Sequence, residues 1–398
     1  MKLGQVIALL DLVVPHEYTN AMKPLLNNAP ESDFKVVKSV IEEDLEKSID
    51  EVFIEFDEIP LASASLAQVH RAKLRTGEEV AVKVQHKWIR EQYPGDIDIM
   101  ERLTKLGRMI FKDFDFLWVI EGLRESSHQE LNFKIEAKNA IRCGQIFKND
   151  PLVKVPKVHT KYSSGRVLTM ELMTGVSISD IESIQKMGIS LKDTAYTLSR
   201  AFNEMIFIHG FIHCDPHPGN IYVRPVRRWF RTRAQIIILD HGLYKELSKE
   251  KLKTYRSMWM NIIMQDEEGM KRSAEEMGVK SMYPLLAGMM VGRPWDDIMD
   301  TTVGLERLRN ARGFENEKEA LKIHAKTWFH EINQVLAKMD NEFILVFKTF
   351  EWLRSIDADL GADVNTIQII ADYITRDTSI FTRLWFKFKL YLYSIIAY

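Results

Sequence analysis

Strand-forming patterns in this 398-residue chain are confined to short segments before residue 240, and helical patterns occupy most of the rest. The segments 66–74 and 79–84 flank the turn-rich link Arg75–Glu78, which predicts a β-hairpin. Shorter strands are predicted at 153–159, 166–170, 221–223 and 235–239. Because strands dominate early and helices late, the order predicts an α+β protein of two lobes.

The composition excludes several classes of protein. With 54 basic and 56 acidic side chains, the net charge of −2 gives no nucleic-acid-binding footprint. The hydrophobic share of 46% is that of a globular chain. Two cysteines, Cys143 and Cys214, exclude a disulfide framework and a four-cysteine zinc site. No apolar run of 18 residues predicts a membrane span.

Changes of pattern along the chain predict four regions. The first is helical, the second carries the hairpin and a long charged helical insertion, and the third is mostly helical with the polar loops discussed next. The fourth is a helical tail. Their predicted bounds are 1–57, 58–173, 174–350 and 351–398.

Two polar loops contain the residues best suited to chemistry. The run His213–Asn220 places Asp215 five residues before Asn220, and Asp240 follows 25 residues after Asp215 at the end of an isoleucine-rich strand. This H-x-D-x-x-x-x-N … D-x-G spacing is typical of a protein-kinase-like active site. There an aspartate orients the attacking group, while an amide oxygen and a second carboxylate hold Mg²⁺ against phosphates.

Upstream segments match the nucleotide-binding half of such a site. Lys83, in Val80–Lys83, resembles the strand lysine that pairs with the α- and β-phosphates of ATP. The phosphate loop would normally be rich in glycine, yet an alanine-rich loop stands there, and its side chains keep the backbone further from a phosphate. The residues of this loop are Ala62, Ser63, Ala64 and Ser65.

The adenine of a nucleotide would be held by apolar residues and by a hinge. Val69 and Ala81 would lie on its two faces. The segment Met170–Met173, with Glu171 and Met173, would offer it backbone hydrogen bonds.

Together these residues resemble the UbiB family of atypical kinases, also called aarF-domain-containing kinases. The resemblance rests on the alanine-rich loop, on Lys2-Leu3-Gly4-Gln5, on Glu130–Phe133 followed by Glu136-Ala137, and on His213–Asn220. Asp240-His241-Gly242 replaces the usual D-F-G, as in the aarF-domain-containing kinase 1 branch and its fungal mitochondrial relatives. The resemblance implies a two-lobed protein-kinase-like fold with an N-terminal helical extension. It also implies that the protein binds ATP or ADP with Mg²⁺ between the lobes.

The resemblance also implies a role for each matching residue. Lys83 would pair with Glu136, Asp215 would be the catalytic aspartate, and Asn220 with Asp240 would bind the metal. The family's regulatory motifs would be represented by Lys2, Gln5, Glu130 and Asn132.

The chain departs from the family pattern at two points. Asn132 stands where relatives carry an aspartate. The chain also starts at the Lys2–Gln5 motif, where relatives have a longer leader, so we expect a shortened gene product that lacks a targeting segment.

Three features favour ATP hydrolysis or phosphorylation of a small or lipid-like molecule over phosphorylation of a peptide. Cys214 replaces the arginine that receives an activation-loop phosphate, and no A-P-E follows Asp240. In relatives the segment that contains Lys2–Gln5 covers the region where a peptide would lie.

Two alternatives remain open. The first is a catalytically idle pseudokinase scaffold regulated by nucleotide. The second is a metal-dependent hydrolase that uses His213, Asp215 and His217 as ligands.

Two segments are candidates for contact with a lipid or membrane surface. The aromatic and basic tail 381–398 is either an interfacial anchor or a helix packed on the body. The basic insert Arg227–Arg233 either touches anionic headgroups or forms a solvated hairpin. The resemblance implies a mitochondrial protein concerned with lipid or quinone homeostasis and with inner-membrane organisation.

Overall fold

The computed structural model describes residues 31–110, 117–228, 230–293, 295–299, 329–362, 364–376 and 378–396. The chain divides into two compact units. The N-terminal unit comprises residues up to Gly175 together with Ile237–Leu243, and the C-terminal unit comprises Val176–Ile236 and the chain from Tyr244 onward.

The elements of the first unit alternate between helices and strands. Its helices are α1 (Phe34–Leu45), α2 (Ile49–Val52), α3 (Ile89–Ile110), α4 (Leu117–Glu130) and α5 (Phe133–Ile146). Its strands are β1 (Phe53–Phe56), β2 (Ala62–Ser63), β3 (Ala67–Leu74), β4 (Glu79–Gln85), β5 (Val153–Lys154) and β6 (Val167–Glu171).

A five-stranded antiparallel sheet organises the N-terminal unit. Its strands lie in the order β1-β3-β4-β6, and β2 pairs with the start of β3. The predicted hairpin is β3–β4, in which Val69 lies opposite Lys83 and Ala72 opposite Val80. The turn contains Gly77 at φ 90°, a left-handed conformation that glycine adopts at little cost.

The two faces of this sheet pack against different helices, because side chains alternate along each strand. Val80, Val82 and Val84 of β4 are buried in one apolar cluster with residues of α1 and α2. Successive side chains of a strand point to opposite faces, so Ala81 and Lys83 lie on the other side. There Ala81 is buried with Phe133 and Ala137 of α5. The lysine is therefore on the face that α5 covers.

The secondary structure of this unit departs from the sequence-based prediction in two places. The helical prediction for 1–57 is wrong for Phe53–Phe56, which form β1 and pair with β3. Phe53 is buried in the apolar cluster and packs edge-on against Phe56, so tertiary packing outweighs local helical pattern there. The strand predicted over 153–159 is limited to Val153–Lys154.

The C-terminal unit is mainly helical. Its strands are β7 (Val176–Ser177), β8 (Phe211–His213), β9 (Ile221–Arg228), β10 (Arg231–Ile238) and β11 (Tyr244–Glu246), of which the last two residues of β10 belong to the first unit. Its helices are α6 (Ile181–Lys186), α7 (Leu191–Asn203), α8 (Lys249–Met264), α9 (Glu267–Glu276), α10 (Tyr283–Val291), α11 (Trp295–Met299), α12 (Phe329–Lys338), α13 (Asn341–Leu360), α14 (Thr366–Ile374) and α15 (Ile380–Ile396).

Aromatic side chains fill the core of this unit. Tyr255 and Trp259 of α8 pack against Phe350 of α13, and Tyr255 also stacks on Phe207. Phe207 lies in a π-helical turn, Glu204–His209, that continues α7. Gly210 caps the end of this turn at φ 57°, a left-handed conformation that favours glycine. Helix α13 is thus a central element, and it runs through the boundary predicted at residue 350.

Short strands flank the polar loops of the C-terminal unit. Strand β8 pairs antiparallel with β11, so that His213 lies opposite Tyr244. The prediction that strands are confined to segments before residue 240 is therefore wrong for Tyr244–Glu246. The basic insert Arg227–Arg233 is the end of the β9–β10 hairpin. Among the described helices, none is both long enough and apolar enough to cross a bilayer.

Candidate active site

The N-terminal unit brings together a lysine and two carboxylates that are far apart in sequence. Lys83 Nζ lies 2.8 Å from Glu136 Oε1 and 2.6 Å from Asp240 Oδ2. Glu136 is buried and the Lys83 side chain is only 13% exposed, whereas Asp240 is about one-third exposed. Lys83 therefore contacts Glu136, the partner that the resemblance implies, and Asp240 is a second carboxylate on the same ammonium.

Local structure explains how each member reaches this cluster. Lys83 is on the face of β4 that packs against α5. Asn132 begins α5 as its N-cap, accepting a hydrogen bond from Lys134 N–H, and Glu136 follows in the first turn. A carboxylate is favoured there by the positive end of the helix dipole. Asp240 follows the buried end of β10.

Burial and charge act in opposite directions on this cluster. Burial raises the pKa of Glu136 to about 7, because the ammonium of Lys83 only partly offsets the cost of an enclosed carboxylate and Asp240 adds repulsion. Burial alone would lower the pKa of Lys83, but the two carboxylates outweigh it and hold that pKa above its usual value. Lys83 is therefore a permanent cation at neutral pH.

The Asp240–Gly242 loop is held by its own backbone and by α5. Asp240 Oδ1 accepts a hydrogen bond from Gly242 N–H at 2.9 Å, and Asn139 Nδ2 donates to the His241 carbonyl. The His241 ring contacts the carbonyl of Ile238 at 3.1 Å and is buried. A Cβ added to Gly242 would lie 3.2 Å from Asp240 Oδ1. Glycine thus keeps that carboxylate close to the backbone.

The alanine-rich loop forms a closed turn. Ala62 and Ser63 make up β2 and pair with Val69 and Gln68. Ala64 N–H donates to the Ala67 carbonyl at 2.8 Å, and the Ala64 carbonyl contacts a ring nitrogen of His86 at 3.0 Å. Ser63 and Ser65 are buried. Part of this backbone is therefore already engaged within the protein.

The predicted adenine-binding residues lie on one apolar surface. Ala81 is buried in the cluster formed with α5, and Val69 packs against that cluster. At the predicted hinge, Glu171 ends β6 and its carboxylate is held by Lys154 at 2.7 Å. Met173 follows in a segment without regular secondary structure.

The loop His213–Asn220 belongs to the C-terminal unit and is internally braced. Asp215 N–H donates to His213 Nδ1 at 3.1 Å, and Asn220 Nδ2 donates to the Asp215 carbonyl at 3.2 Å. His217 Nδ1 accepts from Gly219 N–H. Cys214 is fully buried, and burial raises the pKa of its thiol to about 12, so this position carries no charge.

Each unit contains an oxygen donor of the kind that binds Mg²⁺ in proteins. Asp240 offers carboxylate oxygens, and Asn220 uses its amide nitrogen as a donor, which leaves its amide oxygen as a ligand. Oxygen ligands from one or two side chains, completed by substrate phosphates, are the usual magnesium environment. His213, Asp215 and His217 do not make a rival centre, because no three His, Cys, Asp or Glu side chains in the described ranges are grouped around a common metal position.

The structure describes two of the four predicted regulatory residues. Glu130 ends α4 and Asn132 caps α5, two residues apart. Asparagine and aspartate are comparable N-caps, so the departure from the family pattern leaves the start of α5 intact. Lys2 and Gln5 lie outside the described residues.

One residue beside the predicted catalytic aspartate was missed by the sequence analysis. Lys348 Nζ on α13 lies 3.4 Å from Asp215 Oδ1. The two residues are 133 positions apart and share no motif, so no local signal in the sequence pairs them.

Comparison with known proteins agrees with this geometry. A sequence model of the ABC1 atypical kinase-like domain matches residues 24–274. The AarF domain-containing protein kinase 1 of mouse is 36% identical over 96% of this chain and 73% of its own length. The Xenopus laevis protein of the same name is 39% identical over 91% of this chain and 68% of its own length.

The chain belongs to the ABC1/AarF atypical kinase family. The family assignment confirms the resemblance inferred from the motifs. A Drosophila AarF domain-containing kinase 1 is likewise 36% identical over 90% of this ABC1 chain. The solved structure of Rv3197 with erythromycin, from Mycobacterium tuberculosis, covers 94% of the chain and 91% of its own with a TM-score of 0.60. At 21% identity this likeness shows the fold alone, a two-lobed kinase-like α+β fold with a helical C-terminal region.

Proposed function

We propose that this ABC1 protein binds Mg–ATP or Mg–ADP and transfers the γ-phosphoryl group of ATP to water or to a small or lipid-like molecule. The observation that carries the proposal is the contact of Lys83 with both Glu136 and Asp240. A buried ammonium held by two carboxylates is costly to enclose unless the charges serve a ligand or a fold-specific purpose.

Each residue of the proposed reaction has a chemical task. Lys83 would contact the α- and β-phosphates, oriented by Glu136. Asp240 and Asn220 would hold Mg²⁺, which neutralises developing charge on the phosphates when bound. Asp215 would accept the proton of the attacking hydroxyl or water.

The short chain segment after Asp240 supports a small substrate. Strand β11 begins at Tyr244, and α8 begins at Lys249. Strand β11 pairs with β8, the strand that leads into the His213–Asn220 loop. No long activation segment intervenes in this stretch, so no peptide platform of the protein-kinase type is formed there.

A nucleotide-regulated scaffold without catalysis is the second candidate. The closed turn at 62–65 favours it, because Ala64 N–H is bonded to the Ala67 carbonyl and is not directed at a phosphate. Glycine-rich loops accelerate phosphoryl transfer by presenting such N–H groups to the phosphates.

Turnover of Mg–ATP by the full chain distinguishes the two candidates. We expect phosphate release in the wild type and a loss of about 100-fold or more in Asp215→Asn and in Asp240→Asn. Asp98→Asn is the matched control, because Asp98 is exposed and its ion pair with Arg124 lies outside the candidate site. Magnesium-dependent nucleotide binding without turnover would instead establish the scaffold. Absence of nucleotide binding would overturn both.

We also propose that α15 lies on an anionic lipid surface. Phe381, Leu384, Trp385 and Phe388 are all at least half exposed and follow one another at i, i+3, i+4 and i+7. This spacing gives one apolar face, whereas Phe386 is buried against the body. Arg383 on the same helix adds positive charge that attracts anionic headgroups, whereas Lys387 is paired with Asp372 at 2.8 Å.

Sedimentation with vesicles tests this surface. The wild type should bind phosphatidylcholine vesicles that contain about one-third phosphatidylglycerol more strongly than neutral ones. The double variant Phe381→Ser, Trp385→Ser should lose this binding. Phe230→Ser, at the exposed end of the basic β9–β10 hairpin, is the comparison. Loss of binding only in Phe230→Ser would assign the contact to the hairpin instead.

We further propose a mitochondrial location and a role in lipid or quinone homeostasis and inner-membrane organisation. The support is the membership of the AarF kinase 1 branch. Fractionation of cells that express the complete gene product, with lipid and quinone profiles after its deletion, tests this role. A cytosolic protein with unchanged profiles would contradict it.

A further inference from the structure

Helix α13 supports the loop that contains the predicted catalytic aspartate. Thr349 Oγ1 donates to the carbonyl of His213 at 3.3 Å. The rings of Trp352 and His217 pack edge to face, with centroids 4.9 Å apart. These contacts fix one face of α13 beside the loop, even though α13 lies beyond the residues that the family sequence model matches.

The same face of α13 places the ammonium of Lys348 beside Asp215. Lys348 precedes Thr349, and its Nζ lies 3.4 Å from Asp215 Oδ1. The lysine is 30% exposed and the aspartate 40% exposed, so the pair is partly screened by solvent. It is nevertheless placed by a helix that Thr349 and Trp352 hold in register.

Histidine in the loop does not supply this positive charge. Burial lowers the pKa of His217, and its Nδ1 accepts a hydrogen bond from Gly219 N–H, which requires an unprotonated nitrogen. His213 Nδ1 accepts from Asp215 N–H in the same way. Lys348, in contrast, forms an ion pair with Asp215.

We propose that Lys348 is a positioning residue that keeps the Asp215 carboxylate oriented toward the attacking group. This inference rests on the proposed function, since it assigns Lys348 to the same phosphoryl-transfer reaction. A base held in one orientation loses less activity to unproductive rotamers.

Lys348→Met in the full chain tests the proposal through the split between binding and turnover. We expect kcat for Mg–ATP to fall about 10-fold or more, with the dissociation constant for Mg–ADP unchanged within about twofold. Lys348→Arg should recover most of the lost kcat, because it restores a cation at the same place.

Lys251→Met is the matched control. Lys251 reaches from a helix to carboxylates at 2.8 Å and 3.1 Å and is 33% exposed, much like Lys348. Its partners are Asp340 and Glu342, outside the candidate site. Loss of this ion pair should leave kcat unchanged.

Combining variants shows whether Lys348 acts through Asp215. In an Asp215→Asn background, Lys348→Met should lower the residual kcat by less than about twofold, because the group that it positions is already gone. An additive loss in the double variant would overturn the proposal. So would a Lys348→Met protein with the kcat of the wild type.

The proposed function and the role of Lys348 can be refuted separately. Wild-type protein without any turnover overturns phosphoryl transfer and the role of Lys348 together. Turnover that depends on Asp215 but not on Lys348 overturns the role of Lys348 alone.

Discussion

At the scale of single residues, Lys83 determines the character of the candidate site. Its ammonium contacts Glu136 and Asp240, and these two acids differ in environment. Glu136 is enclosed by the sheet and α5, whereas Asp240 is about one-third exposed. A titration near neutral pH therefore belongs to the inner carboxylate of the cluster.

The stability of the protein should register this titration. Glu136 has a pKa of about 7 in the fold against 4.5 as a free side chain, so folding takes up a proton between these values. Its contribution to the free energy of unfolding is complete below about pH 4.5 and is lost as pH rises toward 7, with a slope of at most about 1.4 kcal/mol per pH unit. Denaturant unfolding of wild type and Glu136→Gln across this range measures the difference.

The expected result is a gap between the two stability curves that closes, or changes sign, with rising pH and becomes constant above about pH 7. Parallel curves would contradict a raised pKa at Glu136. Glu91→Gln, at an exposed position on α3, provides the control, because its stability curve should follow that of the wild type.

At the scale of elements, the start of α5 positions the glutamate of the cluster. Asn132 has an extended backbone and its side chain accepts the Lys134 N–H. Capping depends on an acceptor oxygen, which asparagine shares with the aspartate of the family motif. The substitution therefore changes charge near the cap without removing the cap.

Two variants of Asn132 separate capping from charge. Asn132→Ala removes the acceptor and should lower the free energy of unfolding by about 1 kcal/mol. Asn132→Asp keeps the acceptor and adds a negative charge near the helix N-terminus, so stability should be unchanged or higher by about 0.3–1 kcal/mol. Urea unfolding of the three proteins measures both effects. Equal stability of Asn132→Ala and wild type would show that the cap is unimportant.

At the scale of the whole molecule, two units each carry part of the proposed machinery. The N-terminal unit contains Lys83, Glu136 and Asp240, and the C-terminal unit contains Asp215 and Asn220. A ligand that binds the folded chain raises its apparent stability by mass action.

Thermal unfolding with Mg–ADP tests nucleotide binding without requiring turnover. At 100 times its dissociation constant, a ligand stabilises the folded form by about 2.7 kcal/mol, which raises the unfolding temperature by several degrees. Asp240→Asn should lose the part of this increase that depends on Mg²⁺. An identical increase with EDTA in wild type would argue against a metal site at Asp240.

The sequence motifs by themselves indicate the family and predict the chemistry of most site residues. Strand alternation is also predictable, because neighbouring side chains on a strand necessarily face opposite sides of the sheet. That rule separates Lys83 from Val82 and Val84. These features depend on residue types and short-range geometry, which the sequence contains in full.

The partners of those residues were decided by the tertiary structure. Asp240 reaches Lys83 across 157 positions, and Lys348 reaches Asp215 across 133. Phe53–Phe56 form a strand, although their local pattern is helical, because β3 offers a partner and an apolar cluster offers burial. Residue spacing states which side chains share a face of one element, but only the packing of elements decides which faces meet.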